Sequence, residues 1–164
     1  EMKSTGEVMG IGASFGEAFG KAQMAASMPL PTSATAFVSV RDEDKLAVMP
    51  LAKSLSANGF KLIATAGTAE YLKSAGIECA RVNKVAEGQP HIVDLIKNDG
   101  IDLIINTTGG KRSIADSFSI RASALNRRVA YTTTVAGAMA AVMAISDEGP
   151  ARVRRLQDLH EEYV

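Results

Sequence analysis

The 164 residues suffice for one domain of ordinary size with a single hydrophobic core, and a second complete domain is not expected. A hydrophobic fraction of 46% and a charged fraction of 22% fit a globular chain, and no apolar run approaches the roughly 20 residues that a membrane helix needs. Eighteen basic and eighteen acidic side chains cancel, so no overall field attracts nucleic acid or anionic lipid, and any anion site must be local.

Residues 1–28 offer a polar start, glycine turns and one amphipathic helix predicted from Ser14 to Ala26, with Ser14 as its N-cap. One helix cannot bury a core of its own. Pro29-Leu30-Pro31-Thr32-Ser33 then reads as a linker, because two prolines disfavour helix. Residues 1–33 are therefore expected to be the tail of a preceding domain plus linker, and residues 34–164 the domain itself, in a piece of a longer protein. The start at Glu1 carries no charged-then-apolar leader, so a cytoplasmic location is expected.

From Ala34 onward, strand and helix alternate. ATAFVSV is a β-branched strand, followed by a helix to Gly59 whose first turns Pro50 should kink or delay. FKLIATA, IECARV, IDLIINT and RVAYTT are the next four strands. GTAEYLKSAG, closed by Gly76, is a helix, as are HIVDLIKNDG, IADSFSIRASALN and VAGAMAAVMAIS. In the last of these, Met139 and Met143 share a face and are expected in the core. ARVRRLQDLHEEYV should end the chain as a charged amphipathic helix. Five apolar strands separated by helices predict an α/β fold, a three-layer α/β/α sandwich around a five-stranded parallel sheet. Cys79, the single cysteine, reads as a buried apolar thiol, and no metal-ligand spacing joins it to His91 or His160.

In such a sheet, ligands collect beyond the carboxyl ends of the strands. Polar residues gather there: Ser39, Arg41 and Lys45 after the first strand, Thr65, Gly67 and Thr68 after the second, Asn83 and Lys84 after the third. The fourth ends in Asn106, Thr107, Thr108, Gly109 and Gly110, followed by Lys111 and Arg112, and the fifth in Tyr131, Thr132, Thr133 and Thr134. Gly67 should permit a tight turn, with Thr68 starting a helix whose free N–H groups face the strand tips. With Lys45, Lys84 and the hydroxyls of Thr65 and Thr68, the set suits a phosphate dianion, although TAGT is no phosphate-loop NTPase motif.

Five stretches carry a family resemblance. EMKSTGEVMGIG with FGEAFGKAQMAA resembles the end of the second ATP-grasp half of carbamoyl-phosphate synthase large chains. ATAGTAEYLKSAGI, RVNKVAEGQPHIVDLIKNDGIDLIINTTGGKRSIADS and RVAYTTTVAGAMAAVMA resemble their C-terminal regulatory domain, of methylglyoxal-synthase-like fold. The resemblance implies an enzyme that makes carbamoyl phosphate for pyrimidine and arginine synthesis from bicarbonate, glutamine-derived ammonia and ATP, with Mg and K ions. It also implies a glutaminase small chain as partner of the large chain. The regulatory domain itself performs no chemistry and holds no cofactor; it binds effectors, UMP or IMP and ornithine. Carried over by residue, the nucleotide pocket uses Lys45, Thr65, Thr68 and Lys84 for the phosphate, Asn106, Thr107 and Thr108 for the rest, and Ser39 nearby. Tyr131 and Thr133 match contributors to the ornithine site, while Thr132 stands where relatives often carry an acid.

A lyase on the same fold, acting on dihydroxyacetone phosphate, is the rival reading. It needs a carboxylate base, which that family places after the Gly-Gly of the fourth strand's loop, where this chain has Lys111; Asp116 reads instead as an acid of the following helix. A cyclohydrolase-like domain of the late purine pathway leaves residues 1–28 without a role, and a plain interaction module with a vestigial pocket is the third alternative.

Overall fold

Alternation of inward-facing residues on the central strands decides the layering. A computed structural model of the chain describes residues 7–109, 111–147 and 153–162. Its five strands are β1 (Thr35–Ser39), β2 (Lys61–Ala64), β3 (Ala80–Arg81), β4 (Leu103–Asn106) and β5 (Ala130–Thr132). They form one parallel sheet in the order β3-β2-β1-β4-β5. Ala36, Val38, Leu103 and Ile105 point to one face, where Leu51 and Leu55 of α2 (Lys45–Ala57), Leu72 of α3 (Ala66–Ser74) and Val142 of α6 (Val135–Ser146) cover them. Phe37 and Ile104 point to the other, under Ile92 and Ile96 of α4 (Ile92–Lys97) and Ile120 and Ala124 of α5 (Lys111–Arg127). The predicted three-layer α/β/α architecture is the one observed.

The N-terminal helix α1 (Phe15–Ala25) starts where the sequence placed it. Ser14 Oγ accepts the Glu17 N–H at 2.9 Å and donates to Asp147. α1 packs chiefly on α6, so closely that a Cβ on Gly16 would stand 2.7 Å from the Met143 carbonyl oxygen. α7 (Leu156–Glu162) follows α6 in the chain.

Four details differ from expectation. Helix α2 begins at Lys45, after a 3-10 turn over Asp42–Asp44, and runs through Pro50 undelayed. Pro50 lies on the exposed side, where water can satisfy the carbonyl that its missing N–H leaves free. The β3 ladder holds only Ala80 and Arg81, with the Val82 N–H donating to the Ala64 carbonyl at 3.0 Å beyond them; Ile77 and Cys79 are buried by packing and read as strand through their apolar character. Met139 and Met143 are 47% and 46% exposed, because the small residues Ala138, Ala141 and Val142 form the inward face of α6. Finally, α3 starts at Ala66, not at Thr68, with Thr65 in extended conformation as its N-cap. It ends at Ser74 with Ala75 as C-cap, one residue before the predicted Gly76, whose φ of +76° permits Gly76 and Ile77 to donate to Lys73 and Leu72 carbonyls at 2.9 and 3.0 Å.

Candidate functional site

The sheet order reverses at the β1/β4 pair. The chain leaves β1 towards α2 on one face and β4 towards α5 on the other, opening a crevice beyond the strand ends. Ser39 ends β1, and its Oγ lies 3.2 Å from Thr65 Oγ1. Thr68 Oγ1 accepts the Val40 N–H at 3.3 Å and donates to the Val40 carbonyl at 3.5 Å. Thr65 and Thr68, 5% and 2% exposed, thus tie the first turn of α3 to the end of β1. Neither hydroxyl caps α3, so the first N–H groups of that helix keep their donors for another partner.

Gly67 has no positive φ and sits inside the helical first turn, so the tight-turn expectation fails there. Its effect is space. A Cβ at that position would stand 3.5 Å from the Nζ of Lys45, which leans across the start of α3 with the Tyr71 ring centroid 6.0 Å away. Lys45 also pairs with Asp42 at 2.7 Å; that hydrogen bond and charge, with the charge of Lys84 adding, hold the Asp42 carboxyl below its ordinary range. Lys84 itself is exposed at the start of a 3-10 turn over Val85–Glu87, where its N–H donates to Glu87 Oε2 at 2.9 Å.

The loops after β1 and β4 are joined directly. The Arg41 N–H donates to Thr107 Oγ1 at 3.2 Å, and the Arg41 side chain packs against Gly109. Asp44 takes the Arg41 Nε–H at 2.7 Å; that arginine first, and the nearby Thr107 hydroxyl after it, depress its carboxyl while Arg41 is raised. Thr107 thus joins the loop after β1 through the Arg41 N–H. Half-buried Thr108 follows it at the crevice. Gly110 lies outside the described residues, as do the side chains of Lys111, Arg112 and Asp116.

Asn106 turns the other way. Its Nδ2 donates to Ser117 Oγ and to Tyr131 Oη, each at 3.3 Å, and Arg121 donates to the same serine at 3.2 Å. Ser117, 1% exposed, was missed in the sequence; its signal is a hydroxyl in the inward stripe Ser117-Ile120-Ala124. Tyr131 and Thr133 line a separate cavity of about 250 Å³, with Phe19 and Gln23 of α1, Leu30 and Thr134.

The predicted residues thus fall into two places. Ser39, Lys45, Thr65, Thr68 and Thr107 gather at the crevice; Tyr131 and Thr133 sit at the cavity, and Asn106 lies between. The crevice offers one ammonium, free helical N–H groups and hydroxyls, which is a chemistry for holding an anion. Among the described residues, no three of His, Cys, Asp and Glu are grouped to hold a metal ion, and no helix is long and apolar enough to cross a membrane.

Comparison with known proteins gives a consistent picture. Residues 47–133 match the model of the MGS-like domain family. The chain is 59% identical to the carbamoyl phosphate synthase large chain of Pseudomonas putida over 98% of its own length, and 56% identical to that of Xanthomonas campestris over 99%. It spans 15% of the length of each of these relatives. Among solved structures, methylglyoxal synthase from Elizabethkingia anophelis superposes with a TM-score of 0.54 at 20% identity, covering 73% of this chain and 81% of that one, a likeness of fold.

Proposed function

The chain belongs to the MGS-like domain family, and we propose that it is the allosteric regulatory domain of a carbamoyl-phosphate synthase large chain. In this reading it binds a UMP- or IMP-type nucleotide at the crevice between β1 and β4. The observation that carries the proposal is the placement of Lys45 across the open first turn of α3, beside buried Thr65 and Thr68. A phosphate there meets the ammonium of Lys45, the helix N–H groups and, from the next loop, Lys84. Ser39, Thr107 and Thr108 are assigned to the remainder of the nucleotide, and Asn106, whose amide is held by Ser117 and Tyr131, backs that wall.

Tyr131 and Thr133 are assigned to part of an ornithine site at the second cavity, and residues 1–33 to the tail of a neighbouring synthetase domain. The whole protein would be a cytoplasmic, glutamine-hydrolysing ligase with a glutaminase small chain, serving pyrimidine and arginine synthesis. ATP with Mg and K ions would serve its synthetase parts, and no step of that chemistry is assigned to the residues of this chain. Regulation requires that the effector bind two states of the synthetase with unequal affinity, typically by about 1–3 kcal/mol.

Calorimetric titration with UMP and IMP, alongside an assay of dihydroxyacetone phosphate turnover, tests the reading. Saturable binding without turnover, weakened about tenfold or more in Lys45→Ala and Lys84→Ala, is expected. Turnover would transfer the chain to the lyase class. Nucleotide affinity untouched by both substitutions would remove the phosphate assignment.

A further inference from the structure

Lys45, assigned to the phosphate, faces a carboxylate that belongs to the protein itself. Asp42 opens the 3-10 turn after β1, and its Oδ1 lies 2.7 Å from Lys45 Nζ although its side chain is 92% exposed. Lys84 acts on the same carboxylate from the neighbouring loop. Its acidic neighbours look elsewhere: Glu43 pairs with Arg41 at 3.4 Å, and Asp44 takes Arg41 and Thr107. Of three successive acids, one alone meets the lysine at the crevice.

We propose that Asp42 sets the affinity of the effector site, an internal anion that Lys45 exchanges for the phosphate of the nucleotide. The inference rests on the nucleotide reading above. A phosphate monoester dianion offers three oxygens and two charges, enough to engage Lys45, Lys84 and the start of α3 together and so displace a single carboxylate. Any anion that needs Lys45 must first free it from Asp42, so the pair lowers monoester and diester affinity by the same factor, and the displaced carboxylate repels the dianion more strongly. Asp42 therefore weakens every anion held by Lys45, doubly charged ones at least as much as singly charged ones.

The test is titration of the chain and its variants with UMP and with the methyl phosphodiester of UMP. Asp42→Asn should tighten UMP by about two- to fivefold, the range of an exposed ion pair. It should tighten the diester by the same factor or a smaller one, and both gains should shrink as salt is raised. Asp42→Glu keeps the charge and should stay close to the wild-type affinities. Glu43→Gln removes the same charge one residue away without touching Lys45, and should leave both affinities unchanged. Equal gains from Asp42→Asn and Glu43→Gln would reduce the effect to the general field and overturn the proposal. So would UMP binding that needs Lys45 yet is unmoved or weakened by Asp42→Asn. Failure of the wild-type chain to bind UMP at all would instead bring down the nucleotide reading, and this inference with it.

Discussion

Substituting Thr68 by valine asks whether the hydroxyls at the crevice serve the fold or the ligand. Valine has nearly the same shape, so packing around the 2%-exposed side chain is kept. What disappears is the acceptor for the Val40 N–H at 3.3 Å and the donor to the Val40 carbonyl at 3.5 Å, both at a buried position. Leaving a buried N–H unpaired costs about 1–3 kcal/mol. Because both bonds are long, the lower part of that range applies, about 1–2 kcal/mol. Urea denaturation should show a lower midpoint at unchanged slope, and the melting temperature should fall by about 2–8 °C. Nucleotide affinity should fall only modestly, since the first turn of α3 is displaced without losing a ligand donor. A variant as stable as the wild type but unable to bind nucleotide would refute this reasoning, because the hydroxyl would then belong to the ligand.

Other outcomes follow from the packing and electrostatics. Gly16→Ala should loosen α1 from α6 at a cost of about 1–3 kcal/mol, since the new Cβ would meet the Met143 carbonyl at 2.7 Å; hydrogen exchange should rise in α1 and not in β1 or β4. Asp44 has a folded-state pKa below its unfolded one, so the stability it contributes is present above the ordinary carboxylate value of about 4 and lost as pH falls through the depressed value. Denaturation at descending pH should show that loss, and Asp44→Asn should flatten this part of the profile. Burial pushes the Cys79 thiol up to about 11, so a thiol reagent at pH 8 should leave the native chain unlabelled and react fully in denaturant.

The sheet and its layers were legible because the central strands are apolar on both faces, as parallel strands covered on two sides must be. Residues such as Phe37 and Ile104 announce this directly. β3 was overread at its start, since Ile77 and Cys79 are buried at a sheet edge without pairing with β2, and apolar character does not distinguish packing from pairing. Met139 and Met143 show the converse: on a helix rich in alanine, the small residues approach the sheet and the large ones are left outside. At the crevice, the location was legible from strand ends, but the partners of each hydroxyl were not. That Thr107 faces Asp44 while adjacent Asn106 faces Tyr131 depends on side-chain direction at the end of β4. The reach of Asp42 to Lys45 depends likewise on a 3-10 turn that periodicity does not reveal.

Titrating the isotope-labelled chain with UMP while following backbone amide resonances tests the central claim most directly. The account predicts saturable shifts concentrated at residues 39–45, 65–69 and 106–109, with α7 and the outer face of α5 unmoved. Shifts confined to the cavity beside Tyr131, or to α1 and α7, would place the nucleotide elsewhere and contradict it.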